Sequence, residues 1–530
     1  MAENDNEPAN TAAAEQHEQR WGRVLICGGT DWRNLGRKDR KGGALIDDEE
    51  HPDLLEPHIL RSLANVKITG VYASCAGCHC IALDADGNAW MFGRNEQRGL
   101  GVPEEVVSEH HPIMLSAPEL GAPKGTTFVH AACGRGHSLL VGSNGEVWTA
   151  GTNNFGQCGQ PVSPNVPTFT LMKAQLVGGK ENITKVGAGI SFSILLTQSG
   201  KLYGLGSGEH GQLGNGRTGE HISTGNKTQF DVHSEPVLVK GLQDVVITDI
   251  ACGAQHCIAI DATGLVYVWG NNGYCRLGLG NQQPVLMPKV VPHFAGSNDL
   301  TKGRQVVAGP TNSVVIDRQG MYWMAGKWKN SGEGSAGSPY STFRYMQDIM
   351  GCKMYHASCG GVTHWALAPD DDGSVMTIAW GQNAANGELG HGPDEPKSAT
   401  KPKRHEPLIG IDVFSVTAAQ NTTFILARPN EKFSDLPRYP LQVDAPEVCV
   451  KCDKDTGDDD SPLECDKCDT PYHLGCLSPP LSAVPDGEWF CPKCALPPVV
   501  ASAKKGAGAQ KRKDAPAPVQ SGSTSAKRKK

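Results

Sequence analysis

Through the first four fifths of the chain, apolar runs of strand length alternate with polar turns in one recurring order. An apolar run leads into a turn that ends on glycine. A second apolar run follows and closes on aromatic-Gly or Ala-Gly, and a further turn closes on Leu-Gly. The copies are clearest at Ser74–Gly101 (SCAGCHCIALDADGNAWMFGRNEQRGLG), Ala132–Gly159, Gly187–Gly214 and Ala251–Gly278, with looser copies at Val307–Trp328 and Ser358–Gly390. Asp86-Gly87, Asn144-Gly145 and Ser199-Gly200 join paired runs as a hairpin requires. A spacing of roughly 50–60 residues holds a four-stranded blade with its loops. Each end of this region carries half a unit: VLICGGTDWRNLGR (Val24–Arg37) is a second half alone, and SVTAAQNTTFILA (Ser415–Ala427) is a first half alone. Joined, they make a seventh unit and seal a ring that leaves no open sheet edge.

The first half of the clearest units opens on a small-Cys-Gly step, often with His a few residues on, as in ACGRGH and ACGAQH, and the second half closes on patterns such as GQLG. This pattern resembles the regulator-of-chromosome-condensation repeat family over about residues 20–430. LICGGTDWRNLGRK and HGPDEPKSATKPKR are most similar to the family's second, telophase-disc-type branch. The resemblance implies an all-β fold, a seven-bladed β-propeller. It also implies that one face acts on a small GTPase as a guanine-nucleotide exchange factor and the other holds nucleosomes.

Cys75, Cys78, His79 and Cys80 look like a ligand set when read alone. Cys75, however, returns as Cys133, Cys252 and Cys359, and His79 returns as His137 and His256. A group repeated blade after blade serves the blade, so a buried thiol beside a hydrogen-bonded imidazole is expected. Trp90, Trp148, Trp269 and Trp380 recur likewise and are expected in the packing between blades. No catalytic arrangement or phosphate loop stands out from the repeat, so no enzyme is predicted. The longest insertion between copies, Arg217 to Lys240, is polar, and reads as a solvated loop or a partner contact.

The chemistry is concentrated near the C-terminus. Cys449-x2-Cys452, Cys465-x2-Cys468, His473-x2-Cys476 and Cys491-x2-Cys494 are four pairs of metal-ligand type. Eight ligands fill two tetrahedral zinc sites with no open position, which is the mark of a structural centre. The order, four cysteines, histidine, three cysteines, resembles PHD fingers; a RING finger, with ubiquitin-ligase activity, is the nearest rival. The PHD resemblance implies a cross-brace in which one zinc takes Cys449, Cys452, His473 and Cys476 and the other takes Cys465, Cys468, Cys491 and Cys494. It places Trp489 in a small core. So small a domain depends on metal to fold, and loss of any ligand is expected to unfold the finger and spare the propeller.

Trimethyl-lysine is held by aromatic faces, yet Lys451–Glu464 has none and carries Asp453, Asp455, Asp458, Asp459, Asp460 and Glu464 instead. Acids suit an unmodified ammonium or guanidinium. The segment around Cys465-Asp466-Lys467-Cys468-Asp469 is similar to fingers that read the unmodified N-terminus of histone three. That resemblance implies that Asp466 and Asp469 meet an arginine of the tail, that Leu463 and Glu464 pair with it as an added strand, and that the backbone of Pro485, Asp486 and Gly487 holds its amino terminus.

Charge and composition adjust this picture at the ends. The net charge of the chain is −7, which excludes a general polyanion binder, yet residues 501–530 are strongly basic. Lys511, Arg512, Lys513, Lys527, Arg528, Lys529 and Lys530 form two clusters that look like a bipartite nuclear import signal, and contact with DNA or a nucleosome is a second use for them. No run is apolar enough to cross a bilayer and no secretory signal is evident, so the 18 cysteines are expected as thiols or metal ligands in a reducing compartment. The expected organisation is a disordered acidic N-terminus (1–20), a propeller (21–430), a linker (431–446), a two-zinc finger (447–496) and a disordered basic tail (497–530), in a nuclear chromatin adaptor that binds a histone tail.

Overall fold

The computed structural model describes residues 20–35, 51–102, 108–173, 176, 179, 181–440, 443, 445–454 and 463–495. The acidic N-terminus before Arg20, the import-signal residues, and Asp455, Asp458, Asp459 and Asp460 lie outside the described residues.

The repeat unit is a four-stranded antiparallel sheet with its strands in chain order; six such sheets and a seventh of mixed origin form the propeller. In the first blade the strands are Ile68–Ala73, His79–Asp84, Ala89–Gly93 and Ser108–Leu115. The innermost strands of all seven blades meet around one central cavity of about 310 Å³, where Cys75, Cys133, Cys252 and Cys359 lie at equivalent places.

The second strand of each blade reads as an unbroken apolar run, as in His79–Asp84 (HCIALD) and Phe192–Thr197 (FSILLT), because both of its faces are covered. Cys80 and Ala82 pack towards the seventh blade with Val24 and Phe424, while Ile81 and Leu83 pack towards the second blade with Leu140 and Trp148. The third strand carries a glycine at or next to its end because the chain entering the second strand approaches too closely for a side chain. At Gly151, φ is +97° and an added Cβ would lie 2.3 Å from the carbonyl oxygen of Gly136.

The repeated histidines stitch one blade to the next. His79 Nε2 lies 2.9 Å from Ser138 Oγ, His137 Nε2 3.0 Å from Ser193 Oγ, and His256 Nε2 2.9 Å from Ser313 Oγ. Burial drives the pKa of His79 down to about 4 and that of His137 down to about 3, so these rings are neutral. Burial also pushes the thiols of Cys75, Cys133 and Cys359 up to about 12. Protonated thiols and neutral, hydroxyl-bonded rings are packing elements. Trp90, Trp148, Trp269 and Trp380 are all buried.

Two stretches differ from expectation. The insertion Arg217–Lys240 is only partly a loop: an exposed hairpin, His221–Ser223 with Lys227–Gln229, precedes Val232–Leu238, the outer strand of the third blade. Its polar sequence hid that strand because outer strands have one face in water. The segment expected as a linker also builds structure. A short helix, Glu431–Ser434, buries Phe433, and the strand Arg438–Tyr439 buries Tyr439 and joins the seventh blade.

That blade is assembled from both ends of the propeller. Asp412–Ala418 and Thr422–Arg428 supply its inner half, and Arg23–Gly28 and Leu54–Leu60 its outer half. Arg23 to Gly28 pairs residue for residue with Ala427 to Thr422. Arg438–Tyr439 then runs parallel to Leu54–Leu60 as a fifth strand.

Candidate metal centre

The finger's ligand pairs sit in tight knuckles. After the second cysteine of each of the first two pairs the chain needs a left-handed residue, and aspartate, which tolerates that conformation, supplies it: φ is 55° at Asp453 and 52° at Asp469. Each knuckle closes by a backbone bond, from Asp453 N to Cys449 O at 2.8 Å and from Asp469 N to Cys465 O at 2.9 Å.

Folding interleaves the pairs. Cys449, Cys452, His473 and Cys476 form one group and Cys465, Cys468, Cys491 and Cys494 another, with the ligand atoms of each group within 4.8 Å of one another. These are the only such groups among the described residues. Cys468 Sγ lies 3.8 Å from Cys491 Sγ and 3.6 Å from Cys494 Sγ. Tetrahedral zinc with Zn–S bonds of about 2.3 Å requires sulfur separations of about 3.8 Å. His473 turns Nδ1 towards Cys452 Sγ at 3.3 Å and Cys476 Sγ at 3.9 Å, so Nδ1 is the ligand atom. Backbone amides donate to ligand sulfurs, His473 N to Cys449 Sγ at 3.4 Å and Cys491 N to Cys465 Sγ at 3.3 Å, which favours thiolate. The donor sets fit two zinc ions, and each is complete, so the metal supplies folding and no open catalytic position.

Around the metal centre, Tyr472 and Trp489 meet edge to face at 5.7 Å, with Leu477 buried beside them. Leu463–Glu464 pairs with Pro471–Tyr472 in a two-stranded sheet, so its second edge is open among the described residues. Pro485 is half-buried, while Asp486 and Gly487 are exposed.

Residues 23–425 match the RCC1-like domain and residues 449–494 match the PHD-finger family. The chain belongs to the RCC1-like domain family. It is 31% identical to the Protein RCC2 homolog of Xenopus laevis, covering 79% of this chain and 81% of that protein. It is 30% identical to Protein RCC2 of Homo sapiens, covering 79% of each. Prp20p from Saccharomyces cerevisiae, whose crystal structure is described with its binding properties to Gsp1p and histones, has the same fold at a TM-score of 0.61 and 18% identity, covering 78% of this chain and 94% of that one. The RCC1-like propeller thus carries a PHD finger, which decides between PHD and RING for the C-terminal pairs.

The acids expected to meet a tail arginine meet arginines of this chain instead. Arg438 Nη2 donates to Asp466 Oδ1 at 2.7 Å, and Arg61 Nη1 donates to Asp469 Oδ1 at 2.8 Å. The other oxygen of Asp466 accepts from Trp489 N at 2.6 Å. Sequence reasoning missed these partners, together with Arg23, Asn65, Lys467, Glu488 and Phe490 around them. Arg438 had a faint signal, a basic residue in a segment with apolar neighbours; Arg61 had none.

Proposed function

We propose that this RCC1-like protein is a nuclear, chromatin-associated adaptor whose PHD finger takes the unmodified N-terminus of histone three while its propeller offers a platform to partners. The observation that carries this reading is the edge of Leu463–Glu464 left unpaired among the described residues. An extended peptide adds there as a strand, held by main-chain hydrogen bonds. The exposed turn at Asp486 and Gly487 leads to Trp489, whose backbone exchanges two hydrogen bonds with Asp466, the second residue after that strand. Its carbonyl groups suit a terminal ammonium. Asp466 and Asp469 are engaged internally, so recognition rests on the strand edge and the amino terminus. The import signal and the contact of the basic tail with DNA or nucleosomes belong to the same reading. Neither matched family is an enzyme family.

The test is calorimetry of the full chain with histone-three N-terminal peptides. Binding of the unmodified peptide that disappears on N-terminal acetylation is expected. Tighter binding of the lysine-trimethylated peptide would refute the reading.

A second reading is favoured by the propeller family and by Prp20p, which pairs binding to Gsp1p with binding to histones. In it, the propeller is an exchange factor for a small GTPase and the finger anchors it to chromatin. Faster nucleotide release from one member of a GTPase panel in the presence of the full chain would establish that activity.

A further inference from the structure

Six blades are each made from one continuous stretch of chain; the seventh is closed without a covalent link between its halves. The N-terminal strands Arg23–Gly28 and Leu54–Leu60 lie between two C-terminal strands, Thr422–Arg428 on the inside and Arg438–Tyr439 on the outside. The finger lies C-terminal to that outer strand and bonds back to the N-terminal pair.

Its grip is specific. Glu488 accepts from Arg23 through both oxygens, Nη2 to Oε2 at 2.9 Å and Nε shared between Oε2 at 3.0 Å and Oε1 at 3.2 Å, and the two side chains are only 7% and 14% exposed. Phe490 packs against the core that contains Leu25, Ile59 and Phe433. Arg61, just after Leu54–Leu60, holds Asp469 and also donates to Pro440 O at 2.7 Å. Lys467 Nζ donates to Asn65 Oδ1 at 2.6 Å and to Ser62 O at 3.2 Å, while Asn65 Nδ2 donates to Cys494 O at 2.6 Å.

All these finger residues flank or belong to the second metal group. Asp466 and Lys467 lie between Cys465 and Cys468, Asp469 follows Cys468, Glu488 and Phe490 precede Cys491, and Cys494 contributes its own carbonyl. We infer that the Cys465–Cys468–Cys491–Cys494 zinc site is a clasp on the seam of the propeller: by fixing these residues it locks the N-terminal strands into the closing blade. The finger is then a part of ring closure, and zinc occupancy governs how readily the seam opens. This differs from the sequence expectation that losing the finger spares the propeller. It does not depend on histone binding.

Hydrogen exchange of the full chain, read by mass spectrometry with and without a zinc chelator, tests it. Amides of Arg23–Gly28 and Leu54–Leu60 are expected to exchange at least about tenfold faster once zinc is withdrawn, because buried charges lose their partners. Amides of His256–Asp261, in the fourth blade, keep their rate. Unchanged seam exchange after measured zinc release, or equal acceleration in the fourth blade, overturns the inference. A Glu488→Ala variant separates the clasp from gross unfolding of the finger. With two zinc ions retained it is expected to speed seam exchange selectively, and a wild-type seam rate in that variant likewise overturns the inference.

Discussion

The propeller and the finger reach a fixed shape by opposite routes. The propeller buries apolar side chains in layers between blades and repeats each device, so a tryptophan, a glycine or a histidine recurs and no single copy is decisive. The finger has one small apolar cluster around Tyr472, Leu477 and Trp489, and its order comes from eight ligand atoms. A domain of that size has too little surface to remove from water, and metal takes the place of a core. The difference teaches where each region is vulnerable: the finger to one chemical event, six of the blades to loss of packing, and the seventh, at its seam, to both.

The largest effect falls on the finger. Zinc removal takes away a folding contribution of about 10–16 kcal/mol in isolated fingers, so the finger should lose its fixed structure. The expected readouts are two zinc ions released per chain and loss of the Trp489 environment, followed by fluorescence against a variant lacking Trp489. Persistence of that environment after zinc release breaks the comparison.

A smaller effect lies in the propeller. Trp269 is fully buried and its Nε1 donates to Gln212 O at 2.9 Å. Trp269→Ala should cost about 3–5 kcal/mol, measured by urea denaturation, with zinc content unchanged. Loss of zinc from this variant would show that the regions are not separable in that direction.

The smallest effect sharpens the role of the repeat. Glu388 stands where earlier copies have Gln157 and Gln212, and its Oε2 accepts from Asn386 N at 2.9 Å much as their Oε1 atoms accept from Phe155 N and His210 N. Burial raises its pKa to about 7 from an ordinary 4.5, against backbone hydrogen bonds that lower it. The folded state therefore holds the proton more tightly than the unfolded state. The stability this gives is complete below pH 4.5 and is lost as pH rises through 7. Glu388→Gln removes that loss. Its advantage over the wild-type chain should grow from pH 4.5 to 7 and level off at roughly 3 kcal/mol above it. A constant difference across that range, in denaturation at several pH values, would contradict the assignment.

Much of this was legible in the sequence. The second strands declared themselves as unbroken apolar runs because they are covered on both faces, and the two half-units at the ends of the repeat announced a shared blade. The outer strand Val232–Leu238 escaped notice because its solvent-facing residues gave it a loop-like composition. The segment around Arg438–Tyr439 escaped for another reason: two residues carry no period, and their place is set by the blade they join.

The chain alone determined the number of blades, their closure from two ends, and two metal groups of four ligands, because period and ligand spacing are local properties that survive in one dimension. Only the tertiary structure decided what Asp466 and Asp469 face and that the finger grips the seam. Arg61 stands 408 residues before Asp469. A charged side chain in a sequence looks the same whether it meets water, a partner or its own chain, and only the fold selects among them.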